Sequence, residues 1–291
     1  MDVDEKEKAS CMKGSGFKVN LHITEHCNYR CKYCFAKYDH PDMGFEQWKI
    51  VINNLIHSGM VSAINLAGGE PLVHPDFVRM IEYIHANGLD TSFISNGTCL
   101  HKVNPLVAAK VSCLGISIDS FKPKVSREIG RSFPGGQGLD IESVERTITA
   151  WKKYNPKLAV KINTVVSKWN YKENVGESII TLGKKDGWSV DKWKILRAMP
   201  FGNVDSYCVS EKEFERFVLL NRKVCEEQGH IQVVPESTLE HAYIVVDNSG
   251  HLINNTNGVN LLCGSLLSTP FEELMKKYPL DEKLYKAHSE L

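Results

Sequence analysis

The chain has 291 residues, and its 35 lysines and arginines equal its 35 aspartates and glutamates. That length suits one large α/β domain, or one domain with an elaborated tail, and excludes two full domains. The balanced charge excludes a global pull toward nucleic acid or an anionic membrane, so any phosphate binding must be local.

Residues 1–16 are polar and end in Lys13, Gly14, Ser15 and Gly16, the composition of a flexible leader. Phe17 to Thr24 alternates apolar with polar residues and predicts a strand. Directly after it, Cys27, Cys31 and Cys34 are spaced C-x3-C-x2-C, with no second pair downstream. Closed ferredoxin sites use four cysteines, and structural zinc sites use four ligands. Three thiolates instead suit three corners of a 4Fe-4S cubane whose open fourth iron binds S-adenosylmethionine, a cofactor pair that proteins use for radical chemistry. Phe35, next to the last thiolate, can shield the cluster from water. The six other cysteines are scattered and the total of nine is odd, which points to a reducing, cytoplasmic setting without disulfides.

A helix is predicted over 44–58 from the spacing of Phe45, Trp48, Val51, Ile52, Leu55 and Ile56. The βα rhythm then repeats: a strand over 63–67, a helix over 76–86, a strand over 91–94, a strand over 113–119, a long loop through Arg131, and a helix over 140–154. A strand over 159–166, a helix over about 171–185 and a strand over 192–197 follow. Alternation of this kind implies parallel strands and a partial (β/α)6 TIM-type barrel, with the active site at the C-terminal ends of the strands. Beyond residue 200 the rhythm changes. Ser210 and Glu213 form a capping box before a helix, and two short apolar runs around Asn248, Ser249 and Gly250 read as a hairpin. The chain therefore divides into a leader (1–16), a barrel (17–200) and an extension (201–291) that covers the barrel mouth. No apolar run approaches the ~18 residues of a membrane span.

Gly68, Gly69, Glu70 and Pro71 follow the second strand. Glycines there clear the approach to the backbone, and the Glu70 carboxylate suits an ammonium ligand. Asn96, in the turn after strand three, and Ser117, on strand four, are candidates for the cofactor's ribose or carboxylate. A second polar set comprises Asn20, Arg131, Lys161, Asn163, Lys194, Arg197 and Tyr243. Lys161 and Asn163 are two apart on one strand and so share a face. An inward lysine has to be neutralised, and a polyphosphate would neutralise Lys161 and Lys194 together.

These segments resemble the viperin family of radical S-adenosylmethionine nucleotide dehydratases, from Val19 to about Lys286. The likeness rests on Asn20–Thr24, Cys27–Cys31, Ile64–Pro71, Ser117–Phe121, Ile129–Arg131, Lys161–Asn163, Trp193 with Lys194, Val234–Ser237, and Tyr243. It implies that Asn20, Arg131, Lys161, Asn163, Lys194 and Tyr243 contact a nucleoside triphosphate (CTP, UTP or GTP), with Arg131 also facing the cofactor. It implies that a 5'-deoxyadenosyl radical takes the C4' hydrogen, that the 3'-hydroxyl leaves as water, and that an added electron completes a 3'-deoxy-3',4'-didehydro nucleotide, an antiviral chain terminator. Tyr243 is the candidate proton donor, and an electron donor such as flavodoxin or ferredoxin is expected to serve a monomer. Relatives that use CTP carry a lysine and a serine where this chain has Ala63 and Ala67, so one cation and one hydroxyl are missing. Two alternatives stand beside this one: a radical enzyme acting on another substrate such as a peptide, and a non-catalytic antiviral scaffold.

Overall fold

The computed structural model describes residues 16–35, 40–133, 135–200, 205–228, 231–234, 240–256 and 259–289. The proposed leader, except Gly16, and residues 235–237 of the resemblance lie outside these. The strands are β1 (Phe17–Thr24), β2 (Val61–Gly68), β3 (Asp90–Ser95), β4 (Cys113–Ser117), β5 (Ala159–Val166), β6 (Lys192–Arg197), β7 (Ile231–Val234), β8 (Ile244–Val246), β9 (His251–Thr256) and β10 (Val259–Ser265). They form one sheet in the order β10-β9-β8-β1-β2-β3-β4-β5-β6-β7. All neighbours from β8 to β7 are parallel, while β9 and β10 run antiparallel. This is an open, partial TIM-type barrel in which β1 to β7 follow one another in sequence order, with short 3-10 turns in place of an α-helix between β3 and β4.

Alternation along the strands sorts the side chains. Val19, Leu21 and Ile23 of β1, Ile64 and Leu66 of β2, Phe93 of β3 and Ile162 of β5 are at most 1% exposed and pack against the helices. Each such burial contributes about 1.5–3 kcal/mol. Helix α1 (Phe45–His57) supplies Trp48, Val51, Ile52 and Leu55 to that layer, and α2 (Phe77–Ala86) supplies Phe77, Met80, Ile81 and Ile84. The intervening strand residues face the inside of the barrel and are mostly polar: Lys18, Asn20 and His22 on β1, Asn65 on β2, Ser92 on β3, Lys161 and Asn163 on β5, Lys192 and Lys194 on β6.

Two elements differ from the sequence expectation. The long loop before Arg131 contains a helix, α3 (Pro123–Ile129), with a proline in its first turn and Gly130 in a left-handed conformation just after it. It is only seven residues long, too short for a periodic signal. Helix α4 (Ile141–Tyr154) matches its prediction, with the Asp140 carboxylate accepting from the Ser143 amide at 3.0 Å. The helix expected over 171–185 shrinks to α5 (Gly176–Thr181), because left-handed Gly183 precedes a separate turn. Helix α6 (Glu211–Gln228) begins with the predicted capping box: the Ser210 amide donates to Glu213 at 2.8 Å and the Glu213 amide donates back to the Ser210 hydroxyl at 3.3 Å. The predicted hairpin is the β8–β9 pair. Helices α7 (Phe271–Met275) and α8 (Glu282–Ser289) close the described chain. No helix among the described residues is long and apolar enough to cross a membrane.

Candidate active site

The cysteine loop leaves the C-terminal end of β1 and is held by backbone pairing to a distant segment. The Arg30 amide donates to the Gly130 carbonyl and the Lys32 amide to the Ile129 carbonyl, each at 3.0 Å. Cys31 therefore sits between two anchored neighbours. The loop can approach this closely because Gly130 has no side chain: a Cβ there would lie 2.1 Å from the Arg30 carbonyl oxygen, at φ +91°. Gly130→Ala is accordingly expected to cost about 1–3 kcal/mol from backbone strain alone and to loosen the thiol loop. Thermal unfolding checks the first effect, and iron retained after reconstitution and desalting checks the second.

Around the loop, Arg131 is 9% exposed. Its guanidinium donates to the Ser117 carbonyl at 2.7 Å and to Cys31 Sγ at 3.8 Å, and it pairs with Asp119 at 3.5 Å. The Tyr33 hydroxyl donates to the same Asp119 carboxylate, whose other oxygen accepts from the Val165 amide at 2.8 Å. Burial pushes the Cys31 thiol up to about 12, with Arg131 opposing the shift. A buried thiol of this kind needs a nearby cation or a metal to become a thiolate.

The glycine pair after β2 extends the β1–β2 contact into the loop. The Gly69 amide donates to the Thr24 carbonyl at 2.7 Å and the Glu70 amide to the His26 carbonyl at 2.8 Å. A Cβ on Gly69 would stand 2.3 Å from the His26 carbonyl oxygen, so the close approach demands glycine. Glu70 is fully buried, and its carboxylate is engaged within the protein: it accepts from the Ser95 hydroxyl at 2.8 Å, the Asn96 amide at 2.6 Å and the Leu72 amide at 3.2 Å. Burial pushes its pKa up to about 7 against the pull of these donors. Asn96 in turn donates to Asn28 at 2.7 Å and to Cys27 Sγ at 3.8 Å. Glu70 and Asn96 thus tie the ends of β2 and β3 to the thiol loop. Phe35 is 52% exposed and lies against the His22 ring with centroids 5.9 Å apart.

The inner face carries the second polar set. Asn20 is fixed by a ladder: its amide donates to the Ile244 carbonyl at 3.2 Å, its oxygen accepts from Asn65 at 2.9 Å, and Asn65 accepts from the Ser92 hydroxyl at 2.9 Å. Lys161 and Asn163 share the inner face of β5, in register with Lys192 and Lys194 of β6. The Lys194 amine donates to the Tyr243 hydroxyl and lies 4.8 Å from that ring's centroid, so the segment before β8 and strand β6 meet across the interior. Burial, then the like charges of Lys161, Lys192 and Lys18, pushes Lys194 down to about 6. Burial brings Lys161 to about 8. Burial also raises the Tyr243 phenol, which keeps it protonated. Arg197, three residues from Lys194 and so on the opposite face, donates to the Val209 carbonyl at 3.1 Å. The odd spacing already separated it from the others.

Lys18, Lys192, Tyr33 and Asp119 belong to the site's surroundings but were not singled out from the sequence. For Lys18 the signal was present, since it lies two residues before Asn20.

The donor set fits a 4Fe-4S cluster with its bound sulfonium cofactor. The three thiols are near enough to one another to interact in pairs, as the three protein corners of a cubane require. The Tyr29 hydroxyl, within electrostatic reach of Cys27 and Cys31, is buried and has no hydrogen-bond partner among the described residues, a donor that a polar ligand satisfies. Among the described residues, Cys27, Cys31, Cys34, Cys99, Cys113, Cys208 and Cys263 form no disulfide.

Comparison with known proteins agrees with this geometry. Residues 21–175 match the Radical SAM superfamily. A protein of Selenomonas ruminantium named S-adenosylmethionine-dependent nucleotide dehydratase is 36% identical over 92% of this chain and 97% of its own length. The rainbow trout (Oncorhynchus mykiss) S-adenosylmethionine-dependent nucleotide dehydratase RSAD2 is 28% identical over 92% of this chain and 77% of its own. Among solved structures, Streptococcus suis SuiB bound to S-adenosylmethionine superposes with a TM-score of 0.65 at 13% identity, covering 97% of this chain and 71% of that one. At that identity the match speaks for the fold alone.

Proposed function

Because the chain belongs to the radical SAM superfamily, and within it to the S-adenosylmethionine-dependent nucleotide dehydratases, we propose that it removes water from a ribonucleoside triphosphate, CTP, UTP or GTP, to give the 3'-deoxy-3',4'-didehydro nucleotide. Such a product terminates polymerase chains, which suits an antiviral role. The observation that carries the substrate is the inner face: Lys161 and Lys194 turn into the barrel on neighbouring strands, and no carboxylate among the described residues pairs with either. Inward ammonium groups without a protein counter-charge suit a polyanion.

When bound, the cluster and S-adenosylmethionine supply a one-electron cleavage that yields a carbon radical able to take a hydrogen atom. The remaining work belongs to the side chains. Cys27, Cys31 and Cys34 hold the cluster. Gly68, Gly69 and Glu70 form the edge that receives the cofactor's amine, and Asn96, Ser117 and Arg131 line its other side, with Phe35 at the rim. Asn20, Asn163, Lys161, Lys194 and Arg131 grip the nucleotide so that its C4' hydrogen faces the cofactor. Tyr243, kept protonated by burial and reached by the Lys194 amine, joins that grip at the phosphate end, away from the departing 3'-hydroxyl. The segment 201–291 closes over the nucleotide, electrons come from a small carrier such as flavodoxin or ferredoxin, and the enzyme works as a cytoplasmic monomer.

The test is anaerobic reconstitution with S-adenosylmethionine, dithionite and each of the four ribonucleoside triphosphates. Formation of 5'-deoxyadenosine that depends on one nucleotide, with a product lighter by one water, is the expected result. Cleavage indifferent to nucleotide would point to another substrate such as a peptide, and no cleavage would point to a scaffold.

A pH signature follows from the same lysines. In the free site, Lys194 titrates near 6 and Lys161 near 8, facing Lys18 and Lys192. A bound triphosphate favours both ammonium forms, so near pH 7 binding takes up about one proton by the protein, chiefly at Lys194. Affinity therefore declines as pH rises through about 6, and again through about 8. Calorimetry in buffers of differing protonation enthalpy measures the uptake; proton release on the protein would contradict the assignment.

A further inference from the structure

We propose that Lys18 binds the terminal phosphate of the nucleotide and makes the site select triphosphates over diphosphates, an inference that rests on the nucleotide reading above. Lys18 is the second residue of β1. Val19 and Leu21 on either side of Asn20 are fully buried against the helices, so the period of two puts Lys18 on the inner face with Asn20. Its register partner on β2 is Ala63, whose methyl leaves room on that side. On the other side, Val19 pairs with Ile244, the first residue of β8, so Lys18 lies level with Tyr243, which immediately precedes that strand. Tyr243 reaches Lys194 across the interior. Lys18, Tyr243, Lys194 and Lys161 therefore line one patch, and the Lys18 charge is among those that depress both other lysines. No carboxylate among the described residues lies within ion-pair distance of Lys18.

Depth decides which phosphate it meets. The thiol loop leaves β1 after Thr24, six residues from Lys18, or ~20 Å of strand. On β5, Asn163 is nearer the thiol end than Lys161. A nucleotide with its ribose at the cofactor and its phosphates pointing down the barrel meets Lys194 and Asn163 first, then Lys161, and Lys18 last. A diphosphate is one unit shorter and does not reach it.

The experiment compares the reconstituted wild type with Lys18→Met, which keeps the stem and removes the charge, and with Lys18→Arg. KM and kcat are measured through 5'-deoxyadenosine for the tri- and diphosphate of the nucleoside that supports turnover. Lys18→Met is expected to raise the triphosphate KM about tenfold or more, the scale of one charge-assisted contact, with kcat preserved and the diphosphate KM unmoved. Arginine restores the discrimination. A merely structural role would move both KM values together or neither, and either result overturns the proposal. Should Lys18→Met melt early, Lys18→Gln supplies the same ratio. A wild type whose S-adenosylmethionine cleavage ignores every nucleotide would overturn the nucleotide reading itself, and this proposal with it.

Discussion

Cys31→Ala is expected to abolish S-adenosylmethionine cleavage and to leave a protein that retains little iron after reconstitution. Cys31 is the middle ligand of the triplet, flanked by the two backbone bonds that anchor its loop to Gly130 and Ile129. Its sulfur accepts from Arg131, the buried cation that favours the thiolate. Alanine removes one of only three protein corners, and with the fourth iron reserved for the cofactor there is no spare ligand to take its place. Cys208→Ala provides the control. Cys208 is half-buried and stands outside the loop, so that variant should keep roughly four irons per chain and full cleavage. The decisive comparison is iron content and 5'-deoxyadenosine measured on both proteins. Full iron and undiminished cleavage in Cys31→Ala would remove the three-thiolate centre, and every step assigned to it.

The parts of this site that sequence could disclose are those written in short-range spacing. C-x3-C-x2-C lies within eight residues, and Lys161 and Asn163 are separated by two, so strand parity alone puts them on one face. The same parity turns Arg197 away from Lys194, a distinction the sequence contained and charge alone obscured. What sequence could not disclose depends on strands far apart in the chain. Tyr243 reaches Lys194 because β8 inserts beside β1, more than 200 residues earlier, and nothing in the local composition of Ile244–Val246 announces a parallel partner there.

Glu70 illustrates a further limit. A carboxylate beside two glycines suggests an ammonium ligand, yet the folded chain surrounds it with the Ser95 hydroxyl and the Asn96 and Leu72 amides. Whatever it offers a cofactor, it also joins the ends of two strands. Helix α3 was hidden for a different reason. Its seven residues are too few for a periodic pattern, although Pro123 and Gly130 bracket it as start and stop signals.

Lys161→Met and Lys194→Met are expected to weaken nucleotide binding while stabilising the free protein. Each ammonium that meets a phosphate contributes about 1.5–3 kcal/mol, so each single variant should raise KM or Kd roughly 10- to 100-fold. If the contact is the same in ground and transition states, kcat changes little. The gain in stability has a separate origin. In the folded chain Lys194 favours the neutral amine, near 6, while the unfolded chain holds an ordinary lysine. Folding therefore expels a proton throughout the interval between those values, and the cost grows as pH falls from the ordinary lysine range toward about 6. Methionine fills similar space without that cost. The melting temperature of Lys194→Met should exceed the wild type at pH 7, with the margin narrowing as pH rises toward 10. Lys161, near 8, should show the same trend with a smaller margin. Opposite movement of affinity and stability marks residues kept for a ligand at the expense of the fold. A variant that lost stability along with binding would show instead that these lysines hold the barrel together, and the polyanion pocket would lose its main support.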